Sequence, residues 1–110
     1  MDTSKGICLR FYVAEKRRHR GVLLHEWLLE QAVKLALPGG SAFRAVAGFG
    51  HDHRLHEQHF LELAGDTAME VVFFVDADEE SRLVSLIEAE GISMFFARHV
   101  VEFGIINPGA

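Results

Sequence analysis

The sequence predicts an α+β domain in which two helices cover one face of a four-stranded antiparallel sheet. Segments with alternating hydrophobicity and segments with helical spacing follow one another in the order β-α-β-β-α-β. The chain has 110 residues, which is enough for one hydrophobic core but not for two. Crossover connections are right-handed, so both helices fall on the same side of the sheet. We therefore predict one ferredoxin-like domain over residues 1–110.

The first strand is predicted over residues 6–14, where apolar residues occupy alternate positions. The apolar face carries Ile7, Leu9, Phe11 and Val13. The other face carries Cys8, Arg10, Tyr12 and Ala14. Cys8 is the only cysteine. It therefore cannot form a disulfide within the chain, and we predict that it is a small buried hydrophobic residue.

A basic loop, "EKRRHRG" over residues 15–21, separates the first strand from the first helix. It is either a solvated turn or a rim of positive potential beside an anion site. From Gly21 onward the spacing becomes helical, and the positions on or beside the apolar stripe include Leu24, Trp27, Leu28, Ala32 and Leu35. The motif "LPGG" at residues 37–40 is predicted to end this helix.

Two further strands flank a long polar segment. The second strand is predicted over residues 41–49, and the third over residues 68–76, whose sequence "AMEVVFFVD" is apolar on both faces. Residues 50–67 between them are predicted to form a long loop, with a helical turn possible through residues 55–63.

The second helix follows the third strand directly. Asp76 or Asp78 can cap its first turn, where the helix dipole favours acidic residues. Its buried stripe is predicted to contain Leu83, Leu86 and Ile87, and Gly91 is predicted to end it. The long apolar segment over residues 92–106 is the predicted fourth strand.

The predicted sheet has one face that its own helices leave uncovered. The third and fourth strands carry apolar residues on both sides, whereas an antiparallel sheet with one solvated face normally alternates. A bare apolar face of several hundred Å² is rare on a monomer. We therefore expect copies of the chain to associate through this face.

Composition and charge exclude several functions. The formal net charge is −5, which argues against nucleic-acid binding. No apolar run is long enough to cross a bilayer, and the first residues lack a signal-peptide pattern, so we expect a cytoplasmic protein. No serine or cysteine lies in a recognisable nucleophile motif, so we do not expect an enzyme.

A short glycine motif ends the second strand. Gly48 and Gly50 flank Phe49, and glycines at such a point allow a ligand to approach the backbone closely. The turn is either a simple bend or a nest of N–H groups that binds an anion. Arg54, just beyond it, is a candidate ligand contact.

An arginine in the first predicted strand is a further candidate. Arg10 lies in the first strand on the face away from the helices, where it either pairs with Glu70, Glu102 or a neighbouring chain or contacts a phosphate.

Four of the seven histidines lie within nine residues of the loop, at His51, His53, His56 and His59. Converging neutral imidazoles bind Zn²⁺, Ni²⁺ or Cu²⁺, but no single helix or strand brings all four to one face. The alternatives are a pH-sensitive loop and exposed histidines without a specific role.

Taken in order, several segments resemble a PII-like bacterial family, long labelled only as a domain of unknown function, that is related in fold to PII signalling proteins and CutA. They are "LRFYVAE", "GVLLHEWLLE", "RAVAGFG", Arg54 with His56, and "VVFFVDADEE". The resemblance runs from about residue 8 to residue 103. Gly48, Phe49, Gly50, Arg54 and His56 match the family pattern, and Arg10 matches its first-strand arginine. Arg98 lies in the last predicted strand, where PII relatives place cleft residues, so the resemblance makes it a further candidate ligand contact.

The resemblance implies a homotrimer that binds a small anionic effector, typically an adenine nucleotide, in clefts between subunits. The loop at residues 50–67 would then act on a partner, such as a membrane transporter or an enzyme. His19, Arg20 and Gly21 stand where relatives have an aromatic residue, histidine and glycine, and His51, His53 and His59 match no family position. A CutA-like trimer that binds Zn²⁺ or Cu²⁺ through the histidine-rich loop is the alternative function.

Overall fold

The computed structural model describes residues 1–48 and 67–109. In this part of the chain there are six strands and two helices. They are β1 (Ser4–Ala14), β2 (Arg18–His19), β3 (Val22–Leu23), α1 (Leu24–Lys34), β4 (Ser41–Arg44), β5 (Ala68–Val75), α2 (Ala77–Ala89) and β6 (Phe95–Phe103). Neither of these helices is long and apolar enough to cross a membrane.

The main sheet has four strands in the order β4-β5-β1-β6, and every neighbouring pair is antiparallel. In the register, Leu9 in the central strand β1 lies opposite Phe73 on one side and Arg98 on the other. This strand order, with two helices on one face, confirms the predicted ferredoxin-like α+β fold. β1 and β4 end, and β5 begins, at the same end of the sheet, which we call the loop end.

The hydrophobic core lies between the two helices and one face of the sheet. The sheet contributes the alternate residues predicted for the apolar faces of the first and third strands, and the helices contribute their apolar stripes. The fully buried side chains include Leu9, Phe73, Leu24, Leu28 and Leu83. Cys8 is buried, as the sequence predicted, although it lies on the opposite face of the sheet.

The small hairpin β2–β3 was not predicted from the sequence, which instead suggested a helix from Gly21. The turn residues Arg20 and Gly21 both have positive φ, at 51° and 81°, as a type I′ turn requires. Val22 and Leu23 fit the helical spacing, but they pair with the other hairpin strand, and α1 begins only at Leu24.

Both helices are followed by recognisable stop signals, and the second also has a defined N-terminal cap. α1 ends in a Schellman motif in which Leu37 N–H donates to the Ala32 carbonyl and Ala36 adopts the left-handed conformation, before the predicted "LPGG" is complete. α2 begins with a capping box between Asp76 and Glu79, which confirms Asp76 as the cap. Gly91, with a φ of 70°, directly follows its C-terminal cap residue, Glu90.

Two predicted strands are shorter in the structure than in the sequence pattern. β4 ends at Arg44, where the prediction extended to residue 49, and β6 covers Phe95–Phe103 within the predicted 92–106. Ile92 and Met94 account for part of this difference, because they pack against the core from the connection that precedes β6. Their apolar character therefore reflects burial outside the sheet.

The face of the sheet away from the helices, which we call the open face, carries several exposed aromatic residues. Phe43, Phe74 and Phe95 are 56%, 49% and 56% exposed. Phe74 packs edge-on against Phe103, with ring centroids 6.3 Å apart, and beside them lies a groove of about 830 Å³. The helices therefore leave an apolar face uncovered, as the sequence predicted.

Candidate functional site

A charged cluster holds together the chain segments that meet at the loop end of the sheet. Glu15 follows the last residue of β1, Arg44 is the last residue of β4, and Thr67 immediately precedes β5. Arg44 donates to Glu15 Oε2 from Nε at 2.7 Å and also from Nη2, while Thr67 Oγ1 donates to Oε1 at 3.2 Å. One carboxylate therefore ties three elements together.

The backbone strengthens the same junction. Glu15 N–H donates to the Thr67 carbonyl at 2.7 Å, and Ala45 N–H donates to the Ala68 carbonyl at 2.9 Å. The guanidinium of Arg44 lowers the pKa of Glu15 below its ordinary value, and the hydroxyl of Thr67 contributes further. Glu15 is therefore ionised at neutral pH.

Gly48 lies four residues beyond Arg44, just past the loop end. A Cβ placed on Gly48 would meet nothing within 4 Å among the described residues, and its φ lies outside the left-handed region. Within this part of the chain, neither packing nor backbone conformation requires glycine at this position. The close approach of a ligand to Gly48 stays a prediction.

The basic hairpin, residues 16–23, is fixed to the end of α2 by Glu90. Arg20 donates to both carboxylate oxygens of Glu90, at 2.7 and 3.2 Å, and His19 Nε2 lies 2.9 Å from Oε1. The ring of His19 also packs edge-on against Trp27, with centroids 4.8 Å apart. These contacts hold the hairpin in one position, with its cations at the loop end.

The hydrogen-bonded group formed by Glu90, Arg20 and His19, which we call the Glu90 clamp, depends on pH. Hydrogen bonds from Arg20 first, and then from His19, lower the pKa of Glu90 from 4.5 to about 2. A carboxyl group with a lowered pKa stabilises the folded state above its unfolded pKa and loses that contribution as it becomes protonated. The contribution of Glu90 is therefore present above pH 4.5 and disappears as the pH falls towards about 2.

We expect Glu90→Gln to lower stability at neutral pH and to have little effect at about pH 2, where the native carboxyl group is itself protonated. Urea unfolding of the parent and variant at neutral pH, about pH 4 and about pH 2.5 would measure the difference between their midpoints. That difference should narrow as the pH falls.

The matched control is Glu88→Gln, which changes an exposed glutamate near the same end of α2. The difference in urea midpoint between the parent and this control should not depend on pH. If the difference in urea midpoint between the parent and Glu90→Gln stays constant across the pH range, the clamp stabilises the fold through its shape and not through its charge.

Arg10 lies on the open face, as the alternation in β1 predicted. Its Nε is 3.8 Å from Glu70 Oε1 in β5, and both side chains are about one-third exposed. Tyr12 lies on the same face, where burial first, and then its hydrogen bond with Glu70, raises its pKa. The structure therefore shows one of the predicted alternatives for Arg10, an ion pair with Glu70.

Arg98 lies on the opposite face of the sheet from Arg10. It is opposite Leu9 in the register and therefore faces the helices, where it donates to both oxygens of Glu80, at 2.6 and 3.0 Å. Glu80 is in α2, so this pair attaches β6 to the helix. Within one chain the structure does not bring Arg10, Arg98 and Gly48 together.

The remaining predicted site residues lie outside the described part of the chain. They are Phe49, Gly50, His51, His53, Arg54, His56 and His59. In residues 1–48 and 67–109 there is no group of three or more histidine, cysteine or carboxylate side chains that could hold a metal ion. The predicted Zn²⁺ or Cu²⁺ site in the loop therefore stays a prediction.

Sequence reasoning missed the two carboxylates that organise the loop end. Glu15 lies in a loop that we interpreted only by its positive charge. Glu90 lies at the end of a helix, and the sequence shows no partner for it. The available signal was the position of Glu15 directly after a strongly predicted strand and before four cations. A lone acid in such a position has several cations within reach.

Comparison with protein families gives one match that covers most of the chain. The model of DUF190, described as "Uncharacterized ACR, COG1993", matches residues 6–93. A UPF0166 protein of Aquifex aeolicus (strain VF5) is 29% identical over 80 residues, which cover 73% of this chain and 75% of the relative.

Several solved structures share the fold at low sequence identity. A putative PII-like signaling protein from Thermus thermophilus matches with a TM-score of 0.58 and 16% identity, covering 96% of this chain and 94% of that protein. CPII from Thiomonas intermedia K12, in a structure bound to ADP, AMP and acetate, matches with a TM-score of 0.61, 16% identity and the same two coverages. CPII bound to ADP and bicarbonate matches with a TM-score of 0.62, also at 16% identity, covering 94% and 93%.

Proposed function

The chain belongs to the DUF190 family, and we propose that it is a PII-like regulatory protein that binds a small anionic effector. The observation that carries this proposal is its fold, which it shares over almost its whole length with CPII, a protein whose structures contain ADP and AMP. An adenine nucleotide is therefore the effector that we propose for this chain.

The proposed site lies at the loop end of the sheet, in a cleft between subunits. The space above Gly48 supports this location, as do the exposed cations of the basic hairpin, because an anion needs both room and positive potential. We place Gly48, Phe49, Gly50, Arg54 and His56 in this site. Arg10 and Arg98, which point from opposite faces of one sheet, would contribute only from different subunits.

The proposed assembly is a homotrimer that covers the open face. Exposed aromatic rings on Phe43, Phe74 and Phe95 support it, since a soluble monomer rarely exposes so large an apolar surface. Packing three sheets around an axis would bury these rings and create the clefts that the site requires. Effector binding would then change how residues 50–67 dock on a membrane transporter or an enzyme.

Calorimetric titration with ATP, ADP, AMP and a cyclic nucleotide tests this function. We expect at least one of them to bind, and we expect Arg54→Ala to weaken binding about tenfold or more, because a charge-assisted hydrogen bond contributes about 1.5–3 kcal/mol. Lys5→Ala, which removes a cation from the opposite end of β1, is the control and should bind like the parent.

No heat of binding and no thermal stabilisation across the whole nucleotide panel would refute the proposed effector class. Equal weakening by Lys5→Ala and Arg54→Ala would instead show that net charge, and not a contact from Arg54, determines affinity.

A further inference from the structure

We propose that Arg44 is a phosphate contact of the effector site and that Glu15 is the residue that positions it. The inference rests on the proposed function, because it assigns a role at the same end of the sheet. It concerns two residues that the sequence motifs did not single out, and it follows from their hydrogen bonds, their exposure and their neighbours.

Among the described residues, the guanidinium of Arg44 is hydrogen-bonded along one edge only. Within the described part of the chain its hydrogen bonds go to a single oxygen, Glu15 Oε2, from Nε and Nη2. A guanidinium has five N–H donors, and among residues 1–48 and 67–109 the Nη1 edge of Arg44 has no hydrogen-bond partner. The side chain of Arg44 is 63% exposed, which gives a ligand access to that edge.

Glu15 is itself fixed, so Arg44 is held in a defined orientation. Its side chain is only 21% exposed, its Oε1 accepts a hydrogen bond from Thr67, and its backbone N–H donates to the Thr67 carbonyl. The Arg44 guanidinium lowers the pKa of Glu15, which keeps the carboxylate charged at neutral pH. An arginine oriented before binding loses less conformational entropy when it contacts phosphate.

The surroundings favour an anion although the whole chain is acidic. Lys16, Arg17, Arg18 and Arg20 are all exposed in the basic hairpin. Arg17 N–H donates to the Ala14 carbonyl, so the hairpin starts beside the residues that hold Arg44. Among the described residues, Glu90 pairs with Arg20 and Glu15 pairs with Arg44. Several cations are therefore concentrated at the loop end of a chain whose net charge is −5.

Stability alone is a weak reason for this pair. Exposed ion pairs contribute about 0–1 kcal/mol, since solvent screens them. The backbone hydrogen bonds of Glu15 and Ala45 already join the three segments without Arg44. A ligand contact would account for an oriented guanidinium that is 63% exposed and lies four residues before Gly48 in the sequence.

The test is calorimetric titration of the whole protein with ADP and, separately, with adenosine, which lacks the phosphates. We expect Arg44→Ala to weaken ADP binding about tenfold or more and to leave adenosine binding unchanged. Arg44→Lys should lose part of the ADP affinity, because it keeps the charge but not the forked geometry. Arg82→Ala is the matched control, since Arg82 is another exposed, paired arginine, located in α2.

The positioning role of Glu15 has its own test in a double-mutant cycle. If Glu15 acts through Arg44, Glu15→Ala weakens ADP binding several-fold, and the double variant binds no more weakly than Arg44→Ala alone. Fully additive losses would overturn the positioning role. Urea unfolding of each variant without ligand would verify that the domain is folded.

The outcomes separate this inference from the proposed function. If the parent binds ADP and Arg44→Ala binds it equally well, Arg44 is not a phosphate contact, although the chain still binds nucleotide. The same conclusion follows if Arg44→Ala weakens ADP and adenosine binding equally. If the parent binds none of ATP, ADP, AMP and the cyclic nucleotide, both the proposed function and this inference are wrong.

Discussion

Replacing Phe73 with alanine is expected to lower the free energy of unfolding by about 3–5 kcal/mol. Phe73 is fully buried in β5, next to the central strand, where its ring packs edge-on against Phe11 with centroids 6.1 Å apart. The same ring lies against Gly40, where an added Cβ would come within 2.5 Å of it. Alanine would therefore leave a cavity among side chains that have little freedom to fill it.

Urea unfolding at one fixed protein concentration measures this loss, because the stability of an associating protein depends on concentration. The matched control is Phe96→Ala, which removes the same ring from a position that is 50% exposed. Phe96 also contacts Phe11, but much of its surface is already in water, so its removal should cost clearly less. Equal losses at the two positions would contradict this description of the core.

The largest expected change in assembly comes from Phe74→Asp on the open face. If three sheets pack together there, each subunit would bury one unpaired carboxylate among aromatic rings. A buried unpaired charge costs several kcal/mol. We expect the variant to sediment as a single chain at micromolar concentration, whereas the parent sediments as a trimer.

Val33→Asp is the control for this change. Val33 is a 78% exposed apolar residue of α1, so the substitution adds the same charge outside the open face and should leave the trimer intact. A parent that sediments as a single chain would refute the assembly itself. A Phe74→Asp variant with the mass of the parent would show that the copies associate elsewhere.

Much of the fold could be predicted because its signals are local. The alternation in β1, the continuous apolar run in β5, the helical spacing in α1 and α2, and the caps at Asp76 and Gly91 each depend on fewer than about fifteen consecutive residues. The hairpin was missed for the same reason, since Val22 and Leu23 also satisfy a helical pattern. Only the turn at Arg20 and Gly21 distinguishes the two interpretations.

The candidate site was less predictable because its contacts join distant parts of the chain. Glu15 is 29 residues from Arg44 and 52 residues from Thr67. The register of β6 on β1 determines which face of the sheet Arg98 lies on. The sequence of β6 does not reveal that register, because it is apolar on both sides. Alternation placed Arg10 correctly because the opposite face of β1 is unambiguously apolar.

The edge-on contact between His19 and the ring of Trp27 gives this protein a built-in optical probe. Trp27 is the only tryptophan in the chain and lies almost fully buried beneath the basic hairpin. Indole emission responds to nearby imidazole and to water, so undocking of the hairpin would be visible in the fluorescence spectrum without any label. An investigator can therefore follow the cationic end of the molecule separately from the rest of the fold.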